Sequence, residues 1–528
     1  MKSLVVLFAG ELTGNAFEPL NDGPSAFNES IVRSSRFPDV ERILILTRDD
    51  IVLRFPDAFR KDHPVKVDII ERDAWTAMSF FECISKEAEG FTRVFIAWAD
   101  CPFIDPDFAA ILHKKHVKYA AEYTFADGYP YGLCPEILDR GILSVLAKLS
   151  EGALTPVTRS LVFDIIKKDI NSFDIETDIA PTDLRHLRLE LACDTKRNTM
   201  LCRSLDGITA ANYGEVVQTR SESLRTMPAF YAVQIAGKCP FECTYCPYPA
   251  FCLSGKGKSP GLSAVKRTDS MSLLAFTGLI KKIAEFSDDA VISLSLWGEC
   301  SFHPDIASFI ESVLAYPGLS VLIETTGLGW QEPALEKIAE VVNASAPRTN
   351  GQKPVNWIIS LDAVGSGCYR VAHGVPLNEA DTLIREALAT TERLQSLFPG
   401  TVWPQMVRMN ENEAELETFY RFWKEKYAQV IVQKHDHFCK SITDRRVADL
   451  SPLTRNPCWH IKRDMCILLD GTVPACKEDL YAERSYGNAL VDRLPDIWEK
   501  TGAVYTQHTK CNYEGMCGAC DEYYTYNF

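Results

Sequence analysis

Eighteen of the 528 residues are cysteine, and they are unevenly spread. Cys239, Cys243 and Cys246 form one knot of the pattern C-x3-C-x2-C. Cys458, Cys466, Cys476, Cys511, Cys517 and Cys520 crowd the chain beyond residue 450. The apolar start, Leu4–Ala9, is short, has only Lys2 before it and is followed by Glu11, so it reads as a first strand rather than a signal peptide. No run reaches the ~18 apolar residues of a membrane span. The expected compartment is therefore a reducing cytoplasm, where clustered thiols serve metal or redox chemistry rather than disulfides.

Hydrophobic residues at 46% and charged residues at 24% match a soluble globular chain and exclude a disordered or collagenous one. The charge sum of 56 minus 71, or −15, leaves no global basic footprint, so nucleic acid is not an expected partner. Lys256, Lys258, Lys266 and Arg267 make a local basic loop after the knot. It reads as solvated, with a phosphate-bearing substrate as the alternative.

The fold class is α/β throughout. Residues 1–212 carry short apolar runs, Leu4–Ala9, Arg42–Leu46 and Val94–Trp98, with helical segments between them, as in parallel strands with crossovers. Residues 213–229 read as a linker. From 230 to 440 strand candidates alternate with helices: Phe230–Ala236, Val291–Trp297, Leu319–Glu324, Asn356–Leu361, Val402–Arg408 and Gln429–Gln433. Six β/α units in series predict a partial TIM-type barrel, whose chemistry collects at the C-terminal strand ends. Residues 441–528 are turn-rich and too small for a large core, so a metal would supply cohesion.

The knot follows the first barrel strand. Three thiolates leave one iron of a four-iron cluster without a protein ligand, and an open site can bind substrate or cofactor. A structural zinc site or free thiols is the alternative; Cys252 is the nearest candidate for a fourth ligand. The knot, with Tyr245 just before its last cysteine, resembles the radical S-adenosylmethionine superfamily. The resemblance implies that the open iron chelates the amino and carboxylate groups of S-adenosylmethionine. It further implies that one electron cleaves the sulfonium to a 5′-deoxyadenosyl radical, which takes hydrogen from substrate.

Further landmarks carry the same resemblance over residues 230–434. Leu296-Trp297-Gly298-Glu299-Cys300 is similar to the family's Gly-Gly-Glu-Pro motif, with Trp for the first Gly and Cys for the Pro. There Gly298 would allow close backbone approach and Glu299 would meet the cofactor's ammonium. Ile323-Glu324-Thr325-Thr326-Gly327 resembles the Thr-Asn-Gly turn, and Ile359-Ser360-Leu361-Asp362 the Ser-Leu-Asp segment. Arg408, at the end of the fifth strand, would pair with the cofactor carboxylate. The implied cofactor-binding residues are Tyr245, Gly298, Glu299, Thr325, Ser360 and Arg408; no catalytic residue is assigned beyond the cluster.

The tail resembles the SPASM family of radical-enzyme extensions through Asp470-Gly471-Thr472-Val473-Pro474-Ala475-Cys476, Gly487-Asn488 and Ile497-Trp498. Asp470-Gly471 is also a good hairpin turn. The resemblance implies an auxiliary four-iron cluster, and Cys458, Cys476 and the chelating pair Cys517 and Cys520 supply four ligands. Cys511, a possible ligand, and Cys466 are then spare, alternate ligands or part of something less regular. The alternative is a zinc ribbon.

The front resembles cytidylyltransferase-like enzymes of sugar activation, which are nucleotidyltransferase-like, GT-A/Rossmann-like domains. Its signals are Ala99-Asp100-Cys101-Pro102-Phe103-Ile104-Asp105-Pro106, Tyr129–Glu136 and Arg188-Leu189 with Asp194-Thr195. Asp100 and Asp194 would be a vestigial Mg²⁺ site. The loop that should cradle triphosphate has no Lys or Arg from Ser3 to Val32 and holds Glu11, Glu18 and Asp22. Such a loop repels phosphate, so nucleotidyl transfer is expected to be lost. The three parts together resemble the spiro-SPASM proteins. The expected activity is hydrogen abstraction and oxidation or modification of a peptide or sugar-like small-molecule substrate, with an external donor such as flavodoxin or ferredoxin. The alternatives are a sugar-phosphate nucleotidyltransferase with a regulatory iron–sulfur half, and a non-catalytic iron–sulfur protein.

Overall fold

A computed structural model describes residues 2–55, 65–151, 155–253, 268–349 and 351–524. The basic loop at Lys256–Arg267 lies outside them. The chain divides into two compact units, Met1–Leu224 and Arg225–Phe528.

The first unit is built on β1 (Ser3–Ala9), β2 (Val40–Arg48), β3 (Lys66–Arg72), β4 (Arg93–Trp98), β5 (Tyr123–Asp127), β6 (Glu136–Asp139) and β7 (Ile175–Ile179). Their order across the sheet is β3-β2-β1-β4-β6-β5-β7. β1 runs parallel to both β2 and β4, and β6 is antiparallel to β4 and β5. β1 is buried throughout because both sheet faces are covered. Leu4, Val6 and Phe8 enter one core while Val5, Leu7 and Ala9 enter the other, the period-two alternation of a strand. The stretch read as a linker begins with structure: Tyr213–Thr219 is a helix whose Tyr213 and Val217 are buried in this unit.

The second unit holds β8 (Phe230–Val233), β9 (Ala290–Ser293), β10 (Leu319–Thr325), β11 (Val355–Ser360), β12 (Val402–Arg408), β13 (Ile431–Lys434) and β14 (Asp464–Ile467). All neighbours pair in parallel, in the order β13-β12-β11-β10-β9-β8-β14. The six expected barrel strands are present. The seventh comes from the cysteine-rich tail, which lays β14 against the free edge of β8.

The tail therefore shares the barrel's core rather than forming a body of its own. Met465, Ile467, Val473, Ile497 and Trp498 are buried with Tyr231, Phe276 and Ile283. The Lys282 ammonium donates to the carbonyls of Ala489, Leu490 and Asp492 at 3.1, 2.9 and 3.1 Å. The Trp498 indole donates to the Thr226 carbonyl at 2.9 Å, under the Arg225 guanidinium. The Asp470-Gly471 turn meets the Gly487-Asn488 pair: the Asn488 amide donates to the Asp470 carbonyl at 2.8 Å. A chain ended at residue 440 would bare the hydrogen-bonding edge of β8. It is expected to aggregate under conditions where the full chain stays clear, read by light scattering.

Candidate functional site

The knot Cys239–Cys246 lies in the loop after β8, at the C-terminal ends of the barrel strands. Backbone contacts on two sides set its shape. Thr244 N–H donates to the Ala372 carbonyl at 2.9 Å and Glu242 N–H to that of His373 at 3.3 Å, so the loop hangs on the end of the helix Ser366–His373. On the other side, Glu299 N–H donates to the Lys238 carbonyl at 2.7 Å. Gly298 (φ +79°) permits that approach: a Cβ there would fall 2.1 Å from the Ala236 carbonyl oxygen. Gly374 (φ +64°) does the same opposite the Glu242 carbonyl, at 2.3 Å.

All three thiols are half-buried. Burial pushes the Cys243 and Cys246 thiols up, Cys246 to about 12, and neighbouring sulfurs of the knot add to it. Three thiolates held this way need a cationic partner, since a coordinated thiol is deprotonated outright. The donor set thus fits an iron–sulfur cluster.

Behind the knot lies a buried polar network. The Cys243 sulfur is 3.4 Å from His373 Nδ1, and His373 Nε2 is 3.4 Å from Asp362 Oδ2. The Tyr245 hydroxyl donates to Asp362 Oδ2 at 2.8 Å, and Val407 N–H donates to Asp362 Oδ1 at 2.6 Å. Burial raises the Asp362 carboxyl to about 7 and lowers the His373 imidazole to about 4. Tyr245 is thus turned toward Asp362, and its hydroxyl orients the loop. Asp362 and His373 were not singled out in the sequence; Asp362 closes the Ser-Leu-Asp segment and was there to be counted, whereas nothing local marks His373.

Glu299 and Thr325 are brought together by the fold, but to each other. Glu299 is buried and accepts from Thr325 Oγ1, Thr326 N and Thr326 Oγ1, each at 2.7 Å, and from Ser301 N at 3.4 Å. A carboxylate has about four acceptor positions, so Glu299 here is a clamp between the loops after β9 and β10. Thr325 Oγ1 also accepts from the Trp330 indole at 2.9 Å. Ser360 is half-buried at the end of β11, in register with Gln405, on the face opposite the buried Trp357 and Ile359. Arg408 differs from expectation. It shares a face with Met406, which is packed in the helix-side core, and its guanidinium pairs bidentately with Glu413 at 2.8 and 2.6 Å. Strand alternation turns it away from the barrel interior.

Trp297, at the first departure from the Gly-Gly-Glu-Pro pattern, is buried between Tyr248 and Phe438. These three pack with Leu468, Leu480 and Ala482 of the tail, and Cys239 and Cys246 lie against them. One apolar cluster thus supports the knot and reaches the tail.

In the tail, Cys458, Cys476, Cys517 and Cys520 line one pocket, together with a fifth, Cys439. Burial raises the thiols of Cys458, Cys476 and Cys517. Cys458 N–H donates to His508 Nδ1 at 3.3 Å, and Glu522 N–H donates to the Cys520 sulfur at 3.3 Å. This donor set also fits a cluster. Cys511 is exposed and does not line the cavity, nor does Cys466, which pairs in β14 with Ala232. Nearby, Asp436, His437 and Asp521 bring ligand atoms within 4.8 Å of one another. Their carboxylates are already paired with Lys477 (3.1 Å), Lys434 (2.6 Å) and Arg446 (2.8 Å), so the trio is an ion-pair network.

In the first unit Asp100 and Asp194 do converge, but on a cation of the protein itself. The Arg159 guanidinium donates to Asp100 at 2.6 and 3.2 Å and to Asp194 at 3.1 Å. It also donates to the Tyr131 hydroxyl at 3.1 Å and lies 4.5 Å from the Trp98 ring. These residues do not fit a Mg²⁺ ion, because the charge that an ion would supply is already there.

The comparisons bear on this arrangement. Residues 458–521 match the SPASM family, described as an iron-sulfur cluster-binding domain. An uncharacterized protein of Treponema pallidum (strain Nichols) is 47% identical over 371 residues, covering 70% of this chain and 99% of that relative. This chain belongs to the same family. Among solved structures it is similar to Streptococcus suis SuiB bound to precursor peptide SuiA, with 12% identity, 68% of this chain, 78% of that one and a TM-score of 0.39. It is also similar to a cytidylyltransferase from Leptospira borgpetersenii serovar Hardjo-bovis (strain JB197), with 17% identity, 42% of this chain, 95% of that one and a TM-score of 0.35. Four of the five cysteines that line the tail cavity lie in the matched segment, and Cys439 comes from outside it. Among the described residues no helix is long and apolar enough to cross a membrane.

Two outcomes follow. Gly298→Ala forces the 236–238 backbone to move, and Cys239, Cys243 and Cys246 are expected to alkylate faster than in the wild type, by peptide mapping. Arg159→Gln leaves a buried and a half-buried carboxylate facing each other. It is expected to destabilise the first unit by about 3–5 kcal/mol, read as a lower urea midpoint.

Proposed function

We propose that this chain is a radical S-adenosylmethionine enzyme that oxidises or modifies a peptide or sugar-like substrate. The observation that carries the reading is the half-buried knot of three sulfurs at the C-terminal end of the first barrel strand, in one compact unit with a SPASM domain. Cys239, Cys243 and Cys246 would hold the first cluster, and four cysteines of the tail cavity the second. When bound, the cluster and S-adenosylmethionine supply a 5′-deoxyadenosyl radical that takes a hydrogen atom from substrate. The chain's own part is positional. Gly298 and Gly374 let two backbones grip the loop, Glu299 ties the β9 and β10 loops together, and Tyr245 with Asp362 orients the last cysteine. Ser360 faces the barrel interior, where it can donate a hydrogen bond to a bound cofactor.

Cys458, Cys476, Cys517 and Cys520 would hold the tail cluster, which would supply an electron acceptor or a binding site for substrate, and the reducing electron would come from an external flavodoxin- or ferredoxin-like donor. Such chemistry suits a reducing cytoplasm. The first unit would recognise a ligand or act as scaffold: Arg159 fills the carboxylate pair that a nucleotidyltransferase needs for metal, and the loop before Val32 brings no basic residue of its own, while its Glu11 and Glu18 occupy Arg48 and Arg203.

The test is anaerobic reconstitution followed by incubation with S-adenosylmethionine and a reductant. About eight iron atoms per chain, four per cluster, are expected, with release of 5′-deoxyadenosine. Cys243→Ala should lose about half of the iron and all of the cleavage. A stoichiometric zinc ion at either site, or no 5′-deoxyadenosine from iron-replete protein, would overturn the reading.

A further inference from the structure

One residue from far along the chain grips the knot twice. His373 lies 130 residues beyond Cys243, at the end of the helix Ser366–His373. Its carbonyl receives Glu242 N–H at 3.3 Å, and its Nδ1 lies 3.4 Å from the Cys243 sulfur. The main chain holds the loop; the imidazole touches the sulfur itself.

The ring is held in place on every side. It is fully buried, with its centroid 4.3 Å from that of Tyr369 and 4.8 Å from that of Phe241. Its Nε2 lies 3.3 Å from the Leu361 carbonyl oxygen and 3.4 Å from Asp362 Oδ2. A side chain placed there for packing alone would serve better without nitrogens, because each buried polar atom must find a partner. Here both nitrogens have one, and the partner of Nδ1 is a cluster sulfur.

A sulfur bound to iron has lost its proton and can only accept. The hydrogen in the contact with Cys243 then sits on Nδ1. Nε2 is left to accept, facing the Asp362 carboxyl, whose acid form burial favours. An N–H aimed at a ligating sulfur offsets part of the negative charge there. Reduction adds negative charge, so the reduced cluster gains more from that N–H than the oxidised one. Hydrogen bonds to the sulfurs are among the levers that set such potentials.

We propose that His373 is a positioning residue that holds the Cys243 sulfur through an Nδ1–H···S bond and thereby makes the knot's cluster easier to reduce. The proposal rests on the reading of the knot as a cluster site. The reduction it favours adds one electron from the external flavodoxin- or ferredoxin-like donor. No proton moves, and no bond to iron forms or breaks. His373 contributes the fixed N–H that the added charge meets.

The experiment is a redox titration of the reconstituted full chain, followed by electron paramagnetic resonance, with iron counted. The signal that changes on adding S-adenosylmethionine belongs to the knot's cluster. His373→Phe keeps an aromatic ring and removes the N–H. It should hold about eight iron atoms, with the knot's midpoint moved to lower potential. At the wild-type midpoint its reduced-to-oxidised ratio should fall about threefold to tenfold. His373→Asn, whose amide nitrogen reaches the Nδ1 position, should titrate like the wild type. His373→Gln, whose amide reaches the Nε2 position instead, should follow the Phe variant. The tail cluster's midpoint should stay where it is in all three. An unchanged midpoint in the Phe variant, or equal midpoints in the Asn and Gln variants, would overturn the proposal. So would loss of the knot's iron from all three, the mark of a residue that only supports the loop. If the wild type gives no signal that responds to S-adenosylmethionine, the underlying cluster reading fails first and the proposal with it.

Discussion

Everything in the second unit turns on holding electron-rich sulfurs close together against their own repulsion. Thiols in a half-buried loop resist ionisation, and each ionised neighbour makes the next harder to ionise. Only a cation-rich partner reverses that balance, so the protein must present the sulfurs before the partner arrives. Backbone does this work. Two glycines admit carbonyl oxygens where any Cβ would collide, and hydrogen bonds from Glu242, Thr244 and Glu299 fix the loop at both sides. Because these are main-chain contacts, the loop geometry depends on the barrel strands and not on flexible side chains.

The first unit solves a related problem in the opposite way. Two carboxylates converge there, and a guanidinium supplies the positive charge permanently. Breaking such a pair is costly because it strands buried charge. A carboxylate pair already met by its own arginine lacks the unpaired negative charge that would draw a metal.

Much of the architecture was legible in the residues. The six barrel strands lie in apolar runs long enough to be read locally, and buried parallel strands advertise themselves by such runs. The C-x3-C-x2-C knot and the Asp-Gly hairpin are local patterns as well. The strand β14 was not legible, because four residues, one of them Cys466, carry little periodicity; its pairing with β8 is a matter of which edge was left free. Arg408 lay on the expected strand but on the other face, and a one-residue difference in register decides that. Glu299 sat where a cofactor-facing acid was expected, yet the threonines at the end of β10, Thr325 and Thr326, claim its oxygens.

By itself the sequence determined which donors the chain owns and in what order they follow the strands, since covalent spacing sets what a short loop can reach. Only the tertiary structure decided which donors meet across long separations: Arg159 between Asp100 and Asp194, His373 behind Cys243, and Cys439 in one cavity with Cys458, Cys476, Cys517 and Cys520. The physical reason is that such meetings are fixed by the packing of whole strands and helices, which no spacing between neighbours along the chain encodes.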